Sequence, residues 1–326
     1  MKNNHIVITF LTHTYNVITQ KISNYKVYPY LKSYNNVITK LQSNNKIITY
    51  FLLYYIVITF SLPALALSFD TPLTEGSLIF GHTDPDEIVL VKENYLNIGK
   101  NTNNLFQIPT NTKHQFVFGI PQDAKEITLT IQKGTSSQEK TFSVQSRTWD
   151  EDYVTGLPPA KVQPNPKDQE RITSESLQMR KARQTSTFPY FPEQWIFPVP
   201  EYTRISSHFG SRRILNNIKK QGHSGTDLAA PVDTPVLAPA AGKVVFIHPD
   251  MFLTGKTILI DHGFGVFSSY SHLNSIDVQL NQSVKSGDLI GRVGQTGRAT
   301  GPHLHWTITW YGVRVNPEDL VIKPTP

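Results

Sequence analysis

The chain has 326 residues, 39% of them apolar and 17% charged, with no cysteine and a formal net charge of +6. This length and composition fit about two domains with buried cores and exclude wholesale disorder. The absence of cysteine excludes a disulfide framework, a thiolate metal site and a cysteine nucleophile, so any metal must be held by His and carboxylates.

The charge has a location. Residues 1–69 hold six lysines and no Asp, Glu or Arg, which leaves 25 basic and 25 acidic groups in the remainder. The basic signal therefore belongs to the leader, and no nucleic-acid partner is expected. Within residues 1–46 an Ile/Val-Ile-Thr triplet recurs in a ten-residue register, ending at Thr9, Thr19 and Thr39, and it continues at Thr49 and Thr59. That period matches no common solenoid repeat, and residues 1–46 read as an extension without structure. Ile47 to Leu67 carries no charge, follows Lys46, and leads through Pro63 to Ala64-Leu65-Ala66. Residues 47–66 thus read as a signal peptide with an A-x-A cleavage site or, if retained, as a membrane anchor, the only membrane contact expected. Either way the rest of the chain is exported to the periplasm or cell envelope.

Residues 67–149 contain short runs of β-formers separated by turn signals: Ser77–Phe80, Glu87–Val91, Gln115–Phe118, Glu126–Ile131 and Lys140–Val144. They predict a small β-sandwich or barrel-like accessory domain. No catalytic constellation shows there, so a positioning module or a docking surface for a regulatory protein is the expectation. Residues 150–200 read as a Pro-rich linker. Within it Asn165-Pro166 supplies an N-cap and first helical residue for a polar helix to about Gln184.

Residues 201–326 read as β throughout and carry the chemistry. In Pro302–Trp310, Leu304, Trp306, Ile308 and Trp310 alternate with His303, His305, Thr307 and Thr309. Two imidazoles therefore stand about 7 Å apart on one sheet face, with an apolar core behind them. His223-Ser-Gly-Thr-Asp227 adds an imidazole and a carboxylate, with Gly225 allowing close backbone approach to a ligand. Tyr270-Ser271-His272 ends another β run, with Tyr270 and His272 expected on a common side. One Asp and four His are thus available to a single zinc site, which takes three protein ligands when catalytic. Surplus histidines can then move protons or stabilise an oxyanion.

At these residues the sequence resembles the M23 zinc metallopeptidases, which include lysostaphin-like cell-wall endopeptidases. The resemblance runs from about Ile205 to Leu320. It rests on His-Ser-Gly-Thr-Asp at 223–227, Tyr-Ser-His-Leu at 270–273 and Gly-Pro-His-Leu-His at 301–305, with Ile260-Asp-His-Gly263 and Val284-Lys-Ser-Gly-Asp288 between them. The domain order looks like Gram-negative envelope members. The resemblance implies a mainly β fold with a C-terminal antiparallel sheet domain, one zinc per chain on His223, Asp227 and His305, and catalytic roles for His272 and His303. It also implies peptide stems of peptidoglycan as substrate. His262, Tyr270, Arg212 and Arg213 are candidates for supporting or substrate-binding roles.

Two other readings compete. A regulator could keep the fold and activate a wall amidase without catalysis, but all five site residues are intact. A lipoyl-like carrier domain would explain Ala-Pro-Ala-Ala-Gly-Lys at 238–243, but the interval that should present its lysine holds His262 and His272 instead.

Overall fold

The computed structural model describes residues 67–96, 104–184, 186–189, 191 and 195–321. The expected extension and the signal peptide or anchor lie outside them. No helix among the described residues is long and apolar enough to cross a membrane.

Among the described residues seven strands build the accessory region: β1 (Ser68–Phe69), β2 (Leu78–His82), β3 (Glu87–Lys92), β4 (Leu105–Gln107), β5 (Gln115–Gly119), β6 (Glu126–Lys133) and β7 (Ser136–Ser143). They form one sheet in the order β1-β2-β5 and another in the order β4-β3-β6-β7. Alternation drives this pairing. In β3 the residues Val89 and Val91 are buried while Ile88 and Lys92 are exposed, the period-2 pattern of a half-buried strand.

The next segment contributes β8 (Glu151–Val154), a single-turn helix α1 (Pro159–Val162) and α2 (Pro166–Ala182). The α2 N-terminus is capped as the sequence suggests, with the Asn165 side chain accepting from the Asp168 amide and Pro166 at the first position. This helix is polar, and tertiary bonds hold it in place. Glu175 is buried, accepts from the Phe252 amide at 2.8 Å, and pairs with Arg171 at 2.7 Å. Lys161 donates to the Phe252 carbonyl at 2.7 Å with its ammonium over the Phe252 ring. Lys161, Arg171 and Glu175 thus tie this proline-rich stretch to residues 250–252.

The C-terminal region comprises β9 (Arg204–Ser207), β10 (Arg212–Leu215), β11 (Ile218–Lys219), β12 (Thr226–Ala229), β13 (Pro235–Leu237), β14 (Gly242–Met251) and β15 (Gly255–Asp261). It continues with β16 (Val266–Leu273), β17 (Ser275–Ile276), β18 (Ser283–Val284), β19 (Leu289–Arg292), β20 (His303–Trp310) and β21 (Val313–Val315). Its main sheet is antiparallel in the order β18-β14-β15-β16-β20-β12-β9, with β21 also on β20. Strand β8 pairs in parallel with β10. Leu304, Trp306, Ile308 and Trp310 on one face of β20 are fully buried. They join a core that continues into the accessory sheets, where Phe118 meets Trp310 edge-on at 6.4 Å. Gly119 leaves room for this contact, because a Cβ there would sit 3.0–3.4 Å from Val315, Trp310 and Val313.

Candidate active site

Register brings the candidate ligands together. Asp227 of β12 lies directly opposite His305 of β20, and Ser271 of β16 lies opposite His305 on the other side. Side chains so paired share one face a few ångströms apart. His223 comes from the loop before β12. Its amide donates to the Ser211 carbonyl, and its own carbonyl accepts from the Gly210 amide. Gly225 presses this loop onto β20, since a Cβ there would lie 2.2 Å from the Trp306 carbonyl oxygen. The close approach the glycine permits is thus to the neighbouring strand, and any side chain would lift His223 away.

The result is a compact trio. His305 Nδ1 lies 2.7 Å from Asp227 Oδ1, His223 Nε2 lies 3.2 Å from the same oxygen, and the two nitrogens are 3.0 Å apart. All three ligand atoms lie within 4.8 Å of one another, so the trio can hold a metal ion. Each imidazole is oriented by its other nitrogen. His223 Nδ1 donates to the His208 carbonyl at 3.0 Å and sits 2.7 Å from Ser207 Oγ, which in turn bonds Asp152. His305 Nε2 lies 3.0 Å from Thr307 Oγ1 and 3.3 Å from Ser224 Oγ. A carbonyl accepts only, so His223 carries a proton on Nδ1, and Nε2 is the nitrogen that would ligate a metal. Arg213 grips the remaining Asp227 oxygen at 2.5 Å.

The donor set fits a zinc-type ion. Two nitrogens and an oxygen at bonds near 2.0–2.1 Å would stand roughly 3.3 Å apart, close to the spacings seen. Burial alone would raise the Asp227 carboxyl. The charge of His223 and the bonds from His223 and His305 outweigh it and hold the group well below the usual range. Burial pushes the His305 imidazole down to about 4 despite Asp227.

Two further histidines face the trio. The His272 ring lies 4.8 Å from that of His303 and 6.0 Å from that of His305. His303 Nε2 is 3.8 Å from Asp227 Oδ1. His272 Nδ1 donates to the Thr296 carbonyl at 2.7 Å and His303 Nδ1 to the Gly301 carbonyl at 2.9 Å. In the neutral form of each imidazole Nε2 then carries the lone pair, and neither Nε2 has a hydrogen-bond partner among the described residues. Burial, then His303 and His305, push the His272 imidazole well below its ordinary value.

The expectation that Tyr270 shares a side with His272 fails for a backbone reason. Ser269 and Ser271 line the site while Tyr270 packs in the core, so simple alternation would turn residue 272 to the core too. His272 instead has φ = +64° and joins the cavity wall. The four candidate supporting residues separate in the same way. Arg213 touches Asp227, whereas Arg212 is exposed, with its amide donating to the Asp150 carbonyl. His262 and Tyr270 form a buried chain through Ser268, with 2.6 Å at each step.

The site opens into a cavity of about 580 Å³ whose floor is the sheet face. One wall is α2, through Ile172, Glu175, Ser176 and Met179. Sequence reasoning found the helix and missed this role, because its only signal is a lone Glu175 whose partners are remote in sequence.

The description of Peptidase family M23 matches residues 221–317. Over 127 residues the chain is 43% identical to the DD-carboxypeptidase/endopeptidase Mpg of Neisseria meningitidis, covering 38% of this chain and 28% of that protein. Over 123 residues it is 42% identical to the peptidoglycan DD-endopeptidase ShyA of Vibrio cholerae, covering 37% and 28% respectively. The matched stretch thus spans little more than a quarter of these relatives' own length. A crystal structure of an M23-type peptidase from Pseudomonas aeruginosa is similar over much more, with a TM-score of 0.57 and 31% identity, covering 77% of this chain and 96% of that one.

Proposed function

The chain belongs to peptidase family M23, and from that membership we propose that it is an exported zinc metalloendopeptidase that cuts peptide cross-links of peptidoglycan in the cell envelope. The observation that carries this is the pairing of a His223/Asp227/His305 trio with two imidazoles, His272 and His303, whose bare Nε2 atoms face it. The relatives' DD-endopeptidase names supply the substrate class. When bound, zinc supplies Lewis acidity toward a peptide carbonyl and toward water.

The remaining work falls to the chain itself. His272 and His303 each hold a lone pair ready for a water proton, and each is kept in that tautomer by a backbone carbonyl. Once protonated, either imidazolium can hydrogen-bond the developing oxyanion and return the proton to the leaving amine. Arg213 and the Asp152–Ser207 pair fix the orientation of Asp227 and His223. The cavity has room for an extended peptide segment.

The test is a digest of cross-linked muropeptides by the zinc-loaded chain, followed by chromatography. Dimers should become monomers. A chain that binds zinc and leaves dimers intact is not an endopeptidase, and the regulator reading takes its place.

A further inference from the structure

The cavity wall is strongly cationic. Arg180, Arg183, Arg213, Lys220, Arg298 and Arg314 line it, against the single carboxylate of Glu175. Three of these six cations have partners, and Arg180 is exposed in the last turn of α2. Arg213 holds Asp227, Lys220 donates to the Val162 carbonyl, and Arg298 donates to the Lys161 carbonyl. Glu175 is taken by Arg171 and the Phe252 amide.

Arg183 and Arg314 stand apart. Neither has a carboxylate within ion-pair distance among the described residues. Arg183, the residue that caps α2, meets only the weak acceptor Met179 Sδ at 3.1 Å, and its Nε is buried with no partner. Arg314 of β21 lies opposite Thr309 of β20, so both side chains share the face that carries His305 and Thr307. Thr309 is buried and its Oγ1 also lacks a partner. Burial, then the like charge of Arg314, lowers the Arg183 guanidinium to about 10. Two cations lining one cavity with an unpartnered hydroxyl, and with no carboxylate within ion-pair distance among the described residues, make an arrangement that an incoming anion completes. Along β20, Thr309 lies four residues beyond His305, about 13 Å by strand rise.

We propose that Arg183, Arg314 and Thr309 form a carboxylate-binding subsite that takes an acidic group of the peptide being cut, at the far end of the groove from the metal trio. This rests on the peptidase reading and adds to it a source of specificity. One arginine comes from α2 and the other from the sheet, so the subsite exists only with α2 docked. The helix thereby serves substrate recognition as well as forming the wall.

The test compares a muropeptide dimer with its amidated counterpart, in which neutral carboxamides of nearly the same size replace the free carboxylates. In the wild type, amidation should raise KM about tenfold and leave kcat within twofold, the worth of one charge-assisted contact made before the chemical step. Arg314→Gln should raise KM about tenfold for the free acid and leave KM for the amide at the wild-type value. Arg183→Gln should do the same, and if it fails to fold, the exposed Arg314 carries the test. Equal KM for acid and amide in the wild type overturns the subsite. So does an equal loss on both substrates in Arg314→Gln. Calorimetric binding of the same two dimers to the His272→Ala chain separates this inference from the activity itself. If wild type cuts nothing, the peptidase reading falls, while a tenfold preference for the acid still supports the subsite and equal affinities still overturn it.

Discussion

His262 and the histidines around Asp227 belong to the same region and are buried, apart from the half-buried His303, and in two cases have imidazoles pushed to about 4. They are built in opposite ways. His262 donates from Nδ1 to the Ala241 carbonyl at 2.7 Å and places Nε2 2.6 Å from Ser268 Oγ, so both nitrogens are spent. His272 and His303 spend Nδ1 on a carbonyl and keep Nε2 open, while His223 and His305 turn one nitrogen to hydrogen-bond partners and the other to the ligand trio. Depressed basicity reports burial and is shared by His262, His272 and His305. An unspent nitrogen facing shared space is what the histidines around Asp227 have and His262 lacks.

The largest test of that comparison removes one imidazole of each functional kind. His223→Ala deletes a ligand atom and should lose bound metal and turnover together. His272→Ala leaves the trio intact, so metal content by atomic emission should stay at one per chain while kcat falls about 10³-fold, within the usual range for loss of a proton carrier. If His272→Ala also loses its metal, the division between ligands and proton carriers is wrong.

A smaller effect is expected one step out. Arg213 holds Asp227 Oδ2 and also donates to Ser207 Oγ at 3.2 Å, the hydroxyl that contacts His223 Nδ1. Arg213→Gln loosens two ligands without deleting either. Competition with a chelator should show about tenfold weaker metal binding, and activity should return at saturating metal. Activity that stays low under saturating metal would give Arg213 a direct role in substrate binding instead.

The sequence reveals these relations unevenly. The two faces of β20 are legible from alternation alone, because a strand has a period of two and its apolar set is unbroken. The Asn165-Pro166 start of α2 is legible because the cap is local chemistry. The facing of His272 is not, since a single positive φ at the end of β16 reverses the alternation. The position of α2 over the groove is not legible either. It depends on Glu175 reaching the Phe252 amide 77 residues away and on Arg171 reaching Asp250, and neither pair has a local signature. The continuous core between the accessory sheets and β20 is hidden for the same reason, as Phe118 and Trp310 each look like an ordinary alternating strand residue.

The smallest effect on turnover belongs to His262, and there stability is the sharper readout. Its imidazole titrates near 4 in the folded chain against an ordinary 6.5, chiefly through burial. The neutral form is therefore favoured by folding, so the unfolded chain binds this proton first as the solution is acidified. Stability from this group is fully present above pH 6.5 and is lost as pH falls toward 4, by about 3 kcal/mol in total. His262→Gln keeps a donor and an acceptor but cannot take the proton. It should be less stable than wild type at pH 7.5, because Ala241 and Ser268 are less well matched. In urea unfolding that gap should narrow or close by pH 4.5, while kcat/KM at pH 7.5 stays within twofold. A gap that stays constant across this range would mean that His262 does not set the acid sensitivity, and a large loss of kcat/KM would move it from the scaffold into the site.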